Sequence, residues 1–504
     1  MTSQRKAGAL LGYTNILVKN LVYLVYTPML LHFVGQADYG VYQSSNSFVF
    51  SLTLLTFGFS EAYVRFYMRF RTKHDENGIK KLNGTYLLLY AIICLIALVL
   101  GLTFSANAGA IFSKGFTSEE VSLAHVLLAI MTVNISLTLF STVFDAFIIA
   151  HERFVFQQSR QMFTTLAAPL LSFLLLELGM GAIGVAFAQL AVTIVLLILN
   201  MRFAIGRLEM RFQFRGFDIS LLKAIAVFSA WIFANQICEL ANQNLPNILL
   251  GALSGAQAVA IFAVAVQVRS LFYSLSTTMS SVFTPLINRM VAETDDNNQL
   301  TKLMTRVGRY QAILYLWVWG GFLILGRFFI DKWAGHNFAE AYWMVLAMTA
   351  PLFIPLVQNT GIEIQRAKNR HKARSIAYLC MAVVNVSLTI VLAPNIGYWA
   401  PVVGYVAYVV LGCGFFMNWY YQAHIGLSMF YFWKHQLPTI GFAIVIFVLC
   451  LIGENYLPVS SMPMFILWGI VYTLIYGVGV MKVSLTKQER EKIAKRLSWV
   501  IHRN

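Results

Sequence analysis

Apolar runs long enough to cross a bilayer recur from one end of this sequence to the other, and that feature leaves few folds open. A helix of about 20 predominantly apolar residues spans roughly 30 Å of hydrocarbon. Inside hydrocarbon a chain must satisfy its own backbone polar groups, so spanning segments are helices or closed barrels, and runs of this length read as helices. Fourteen can be drawn, at approximately 10–34, 41–63, 84–106, 122–148, 161–178, 182–204, 221–243, 257–284, 309–330, 340–362, 375–393, 400–421, 437–453 and 462–481. Only 12% of the 504 residues are charged, where soluble domains carry about a quarter. The expectation is an all-α polytopic membrane protein with about 14 transmembrane helices. The first run continues past Leu24 without a small-residue cleavage site, so it reads as a span and not a removed signal peptide.

The net charge of +16 would suit nucleic acid, but its distribution points to a membrane surface. With the amino terminus placed in the cytoplasm, the inner segments hold 32 of the 37 lysines and arginines. The outer loops hold Lys114, Arg327 and Lys332, while Lys19 and Arg269 lie within spans. That alternation follows the positive-inside rule and puts both termini on the cytoplasmic side. The excess charge then meets anionic lipid, and no nucleic-acid partner is expected. The connections are too short to house a soluble catalytic domain. No Gly-x-x-x-x-Gly-Lys-Ser/Thr loop is present to cradle ATP phosphates. Cys94, Cys238, Cys380, Cys413 and Cys450 all sit in apolar runs without metal-like spacing, and read as small packing residues. No cofactor or metal is expected.

The chain also echoes itself. Leu30 to Gln43 carries a turn between two apolar runs, through Gly35 and Asp38, and Leu249 to Ala263 repeats it 220 residues later. Gly35 falls on Gly255, Val41 on Ile261 and Tyr42 on Phe262; Gly184 and Gly404 match at the same offset. Parallel repeats of this kind occur in secondary transporters. The expected organisation is a six-helix lobe at 1–204, a cytoplasmic linker at 205–220, a second six-helix lobe at 221–421, two further spans at 437–481 and a basic tail at 482–504. Thr486 and Glu489 form a capping-box pattern, followed by Ile493, Leu497, Val500 and Ile501 on one helical face. This tail reads as an amphipathic helix on the cytoplasmic leaflet.

Ionisable groups inside spans cost about 2.5–3.5 kcal/mol each on insertion scales and usually face a cavity or a partner. Lys19 follows Asn15 by four residues in the first span; it faces a cavity or snorkels back to the inner interface. Arg269 lies near mid-membrane, where it either pairs with Glu239 or binds an anionic group, its planar fork suiting phosphate oxygens. Glu239, flanked at helical spacing by Asn235 and Asn242, is a candidate ion-coupling site. Asn46 is a further candidate for lining a cavity. Ser44, Ser47 and Ser51 read as a small-residue stripe for close helix approach. Asp145 is expected to pair with Arg153 or another inner-face cation, and His125 and His151 to hydrogen-bond locally.

Four stretches carry a family resemblance: Gly35-Gln-Ala-Asp-Tyr-Gly-Val-Tyr-Gln, Phe57-Gly-Phe-Ser-Glu-Ala-Tyr-Val-Arg-Phe-Tyr, Ala150-His-Glu-Arg-Phe-Val-Phe-Gln and Ala367-Lys-Asn-Arg-His-Lys-Ala-Arg-Ser. With the whole pattern of spans, they resemble the Wzx-type flippases of bacterial polysaccharide assembly, in the superfamily of the multidrug MATE exporters and lipid II flippases. The resemblance implies two six-helix lobes in a V with alternating access. It also implies a bacterial cell-membrane location, and an undecaprenyl-pyrophosphate-linked oligosaccharide moved from the inner to the outer leaflet. Polysaccharide polymerase or other assembly proteins are candidate partners. On that reading Lys19 and Arg269 neutralise the diphosphate, and Asn15, Asn46, Asn235 and Asn242 serve the sugar. Two alternatives remain: a MATE-type multidrug/ion antiporter, and a membrane-embedded polymerase or glycosyltransferase. Against the first stand two cations for one clear mid-span acid; against the second, the short outer loops.

Overall fold

The computed structural model describes residues 2–214, 223, 225, 229, 233, 236–281, 283–370, 372–485, 487 and 489–491. Regular structure among these residues is helical throughout. Eleven helical stretches among them are long and apolar enough to cross a membrane. One of these, Lys372–Ile425, holds two of the expected spans. The helix Phe154–Glu177 (α7) stands at the fifth expected span, and its first half is too polar to join the eleven. The seventh expected span, 221–243, is described only in part. The chain is an all-α, multi-pass membrane protein.

Three expectations about continuity need correcting. The turn after the first span is one residue long: α1 (Thr2–Val34) ends, Gly35 takes φ 83°, and α2 (Gln36–Phe50) begins, so Asp38 is already helical. Its copy is two residues long, Ser254 and Gly255, with Gly255 at φ 96° between α10 (Leu245–Leu253) and α11 (Ala256–Ser281). A side chain at either position would meet the left-handed penalty that glycine escapes. The second span is also interrupted. Ser51, Thr53 and Thr56 turn their hydroxyls onto the carbonyls of Phe48, Phe50 and Thr53, an alternative to the α-helical ladder. The chain tightens to a 3₁₀ turn over Ser51–Thr56 and passes through left-handed Phe57 and Gly58 before α3 (Phe59–Thr72). The tenth span breaks at Gln358, between α14 (Ala339–Val357) and α15 (Asn359–Ala367). Pro351 and Pro355 each remove a helix donor just ahead of that break.

The structure forms two compact units: residues Met1–Ala263 with Asn385–Pro401, and residues Val264–Val384 with Val402–Asn504. In the first, α4 (Glu76–Ala106) packs on α6 (Ser118–Ala150), α6 on α8 (Gly181–Met201), and α7 on α1. Buried tyrosines lock α3 to α4, with Tyr63 donating to Asn83 at 2.6 Å and Tyr86 to the Phe59 carbonyl at 2.9 Å. The helices that flank the two glycine turns meet in this unit, α2 against α10 and the start of α11. A Cβ at Gly40 would overlap the Ala256 carbonyl, and one at Gly251 would overlap the Ser44 hydroxyl. Asn247 bridges the same seam, accepting from Ser44 at 3.3 Å through its carbonyl and donating to Ser47 at 2.9 Å. The serine stripe of α2 is therefore a packing stripe. Residues 211–213 of the expected linker run along the start of α4: Asn83 donates to the Arg211 carbonyl and the Gln213 amide to the Lys80 carbonyl.

The second unit is organised on α13 (Asn297–Trp333), against which α14, α19 (Met429–Tyr456) and α20 (Met462–Val483) pack. Gly320 gives Phe447 and Tyr472 direct access to the α13 backbone. Tyr472 donates to the Trp317 carbonyl and Tyr476 to the Ile313 carbonyl, both at 2.9 Å. Beyond α20, Glu489 accepts from Arg309 through both oxygens, at 2.7 and 2.8 Å, and from the Tyr310 hydroxyl. Thr486 and the apolar face expected at Ile493, Leu497, Val500 and Ile501 lie outside the described residues. All five cysteines are free. His125 contacts the Ser105 hydroxyl, and His151 the Tyr67 hydroxyl and the Phe147 carbonyl.

Candidate functional site

Four polar stripes converge inside the first unit. In α7, Gln157, Arg160, Gln161, Thr164 and Thr165 recur at the spacing that places residues on one helix face. In α6, Asn134, Thr138, Ser141, Thr142 and Asp145 do the same, and α8 adds Gln189, Thr193 and Asn200. α1 contributes Lys19, Tyr23 and Tyr26. These residues line a cavity of about 640 Å³. A polar stripe facing lipid would leave groups unsatisfied, so helices that carry one turn it toward a shared interior.

Within the cavity Arg160 is gripped by both arms of its guanidinium. Nη2 meets Asp145 Oδ1 at 2.5 Å and Nη1 donates to Asn200 Oδ1 at 2.6 Å. Asn200 is itself fixed by donating to Ser141 at 2.9 Å. Asp145 thus pairs with the second of its inner-face candidates, not with Arg153. Lys19 lines the same cavity and is exposed to it, its Nζ 5.7 Å from the Tyr23 ring centroid, at the outer edge of cation–π range. Lys19 and Arg160 against Asp145 leave the cavity's formal charge positive. Thr138, Thr142, Thr164 and Thr165 each donate to the carbonyl four residues earlier in their own helices. Of the lining residues, Tyr26 donates to Ser172 and Gln189 to Tyr42.

The other described candidates are not among the residues that line this cavity. Asn15 is buried and ties α1 to α7, donating to the Gln158 carbonyl at 3.0 Å and to its side-chain oxygen at 3.2 Å. Asn46 is half-buried on α2. Asn235 lies outside the described residues; on the helical run 236–243, Glu239 is exposed and Asn242 buried. Asn242 accepts from Asn385 at 2.7 Å and donates to the Cys238 carbonyl. Arg269, in the second unit, is only 2% exposed, its guanidinium carbon 4.1 Å from the Tyr405 ring centroid and its Nη1 3.6 Å from the Met348 sulfur. Among the described residues no group of three His, Cys, Asp or Glu side chains is placed to hold a metal ion.

Arg160 and the α7 stripe escape a reading by hydropathy because the fifth apolar run begins at residue 161, one position after the arginine. Their signal is the helical period at 157, 160, 161, 164 and 165, which runs back from the apolar run into the basic inner-face segment.

Comparison with known proteins agrees with this architecture. The family model described as "Polysaccharide biosynthesis protein" matches residues 6–291. The uncharacterized membrane protein EpsK of Bacillus subtilis (strain 168) is 23% identical over 480 residues, covering 93% of each chain. Among solved structures, the lipid II flippase MurJ in an inward closed conformation superposes with a TM-score of 0.73 at 14% identity, covering 93% of this chain and 98% of that one. A multidrug resistance MATE family transporter of the MOP superfamily, in an inward-facing conformation, superposes with a TM-score of 0.61 at 16% identity, covering 79% and 93%. The fold is shared with both.

Proposed function

Because the chain belongs to the polysaccharide biosynthesis protein family, we propose that it is a flippase. It moves an undecaprenyl-pyrophosphate-linked oligosaccharide from the inner to the outer leaflet of the bacterial cell membrane, with both termini cytoplasmic. One observation carries this reading: a polar, positively biased cavity within an apolar helix bundle. An anionic sugar-phosphate head would find cations and hydrogen-bonding groups there, while its polyprenyl tail stays in lipid. The lobes at 1–204 and 221–421, joined by the linker at 205–220, would alternate in access, with the spans at 437–481 flanking them.

In this reading Lys19 meets the diphosphate first. Arg269 is the second cation and would leave the Tyr405 ring to take up a phosphate oxygen. Asn15, Asn46, Asn235 and Asn242 supply sugar-binding or positioning polarity, and Glu239 is the ion-coupling candidate. Translocation makes and breaks no covalent bond, so no residue is assigned a catalytic role and no cofactor is required. Lipid and the polymerase or assembly proteins of the pathway are the proposed neighbours.

A MATE-type antiporter is favoured by one feature, the partly exposed Asp145 in the cavity. Its pairing with Arg160 leaves no net negative charge to attract an organic cation. The test is deletion of the gene with leaflet-resolved analysis of lipid-linked intermediates, complemented by wild type, Lys19→Ala or Arg269→Ala. Accumulation facing the cytoplasm is expected on deletion and in both variants. Normal translocation with failed polymerisation would sink the flippase reading. Export unchanged in both variants would sink the cation pair alone, and drug sensitivity without a polysaccharide defect would favour the antiporter.

A further inference from the structure

We infer that Asp145 is a resident counter-anion, which competes with the cargo's phosphate for Arg160 and thereby keeps the anionic head releasable. This deepens the flippase reading and rests on it for the identity of the cargo. The two partners of the ion pair are not equally placed. Arg160 is the more buried, its side chain 14% exposed against 30% for Asp145. It is also anchored independently, because Asn200 holds Nη1 and Ser141 holds Asn200. The carboxylate is the more exposed of the two and borders the cavity. An arriving anion can therefore replace the carboxylate on Nη2 while the guanidinium stays where it is. Arg160 keeps a charge-assisted partner throughout, so no buried cation is left unpaired during the exchange.

The arrangement also addresses a kinetic problem. A transporter that holds a diphosphate on two unopposed cations binds well and releases slowly, since tight ground-state binding lengthens residence. A tethered carboxylate beside one cation lowers that affinity by offering Arg160 an intramolecular alternative at high effective concentration. Asp145 is then a positioning and specificity residue for anion exchange, acting through Arg160. The exchange is a swap of hydrogen-bonded partners with no proton or electron transferred.

The test titrates inorganic pyrophosphate into the full chain, held in nanodiscs of uncharged phosphatidylcholine, with binding read by calorimetry and folding by thermal unfolding. Asp145→Asn is expected to bind about tenfold more tightly than wild type, and Asp145→Glu to return to near wild-type affinity. Asn200→Asp, which sets a second carboxylate on the same arginine, is expected to bind about tenfold more weakly; it keeps the inference testable if Asp145→Asn does not fold. In reconstituted vesicles Asp145→Asn should flip a polyprenyl pyrophosphate more slowly despite binding it better. If wild type binds pyrophosphate in a Lys19-dependent manner, but folded Asp145→Asn binds no more tightly or Asn200→Asp no more weakly, the counter-anion role is wrong and the cavity reading survives. If no variant binds pyrophosphate and Lys19→Gln changes nothing, the anion cavity itself falls, and this role with it.

Discussion

Replacing Gly40 with alanine tests the seam between α2 and the start of α11. Its added Cβ would overlap the carbonyl of Ala256, and the three nearest atoms all belong to that residue's backbone. No side chain can rotate out of the way. Either the methyl is accommodated by strain, which for overpacking costs about 1–3 kcal/mol, or α2 moves away from Ala256. Movement would stretch the Ser44 and Asn247 bonds, now 3.3 and 2.9 Å, each worth about 1 kcal/mol net. Either route costs about 2 kcal/mol, while alanine's better helix propensity returns about 0.5–1 kcal/mol. The net expectation is a loss of roughly 1–2 kcal/mol. Gly441, mid-way along α19, has nothing within 4 Å of its Cβ position, so Gly441→Ala should be neutral or stabilising by up to about 1 kcal/mol. The assay is equilibrium unfolding of both purified variants beside wild type in the same detergent. Equal stability of the two variants, or a more stable Gly40→Ala, would refute the close-approach argument.

Two further outcomes follow from individual contacts. Glu489→Gln should release the segment beyond α20 from Arg309 and Tyr310, costing about 1–2 kcal/mol locally and raising the rate of proteolysis after residue 485 several-fold; an unchanged cleavage rate would count against that anchor. His151, in the loop between α6 and α7, has its pKa held below the ordinary histidine value, first by burial and then by Arg71 and Arg153, against an opposing bond to the Phe147 carbonyl. A base with a lowered folded pKa favours its neutral form, so its contribution is complete above the ordinary value of 6.5 and is lost as pH falls through 6.5 toward the folded value. Wild type should therefore lose thermal stability between pH 7 and pH 5 more steeply than His151→Asn, and parallel profiles would exclude that contribution.

Much of the architecture was legible because one strong constraint acts on it. A bilayer forces long apolar helices, and the sequence displays their lengths directly. Finer features depended on competition within the backbone that hydropathy does not record. The interruption at Phe57 and Gly58 comes from three hydroxyls turned onto nearby carbonyls, inside a stretch that reads as one apolar run. The glycine turns are visible as a repeat at positions 35 and 255, yet the contact of the helices that follow them, through Gly40 and Ala256, is long-range and has no local signature. For the site, Lys19 was found because a cation in an apolar run stands out. Arg160 was passed over because it sits where a boundary cation is ordinary; only its spacing with Gln157, Gln161 and Thr164 separates it from a surface arginine.

Four of the cavity's five threonines, Thr138, Thr142, Thr164 and Thr165, carry a consequence for what the wall can recognise. Each has turned its only hydroxyl proton back onto its own helix, so toward a visitor these hydroxyls can only accept. Such oxygens accept over a broad range of angles and ask only that the visitor bring hydroxyl protons. These four positions read donor content more than stereochemistry. They would treat epimeric sugars nearly alike, while an O-acylated or deoxygenated one would leave a threonine oxygen without a donor.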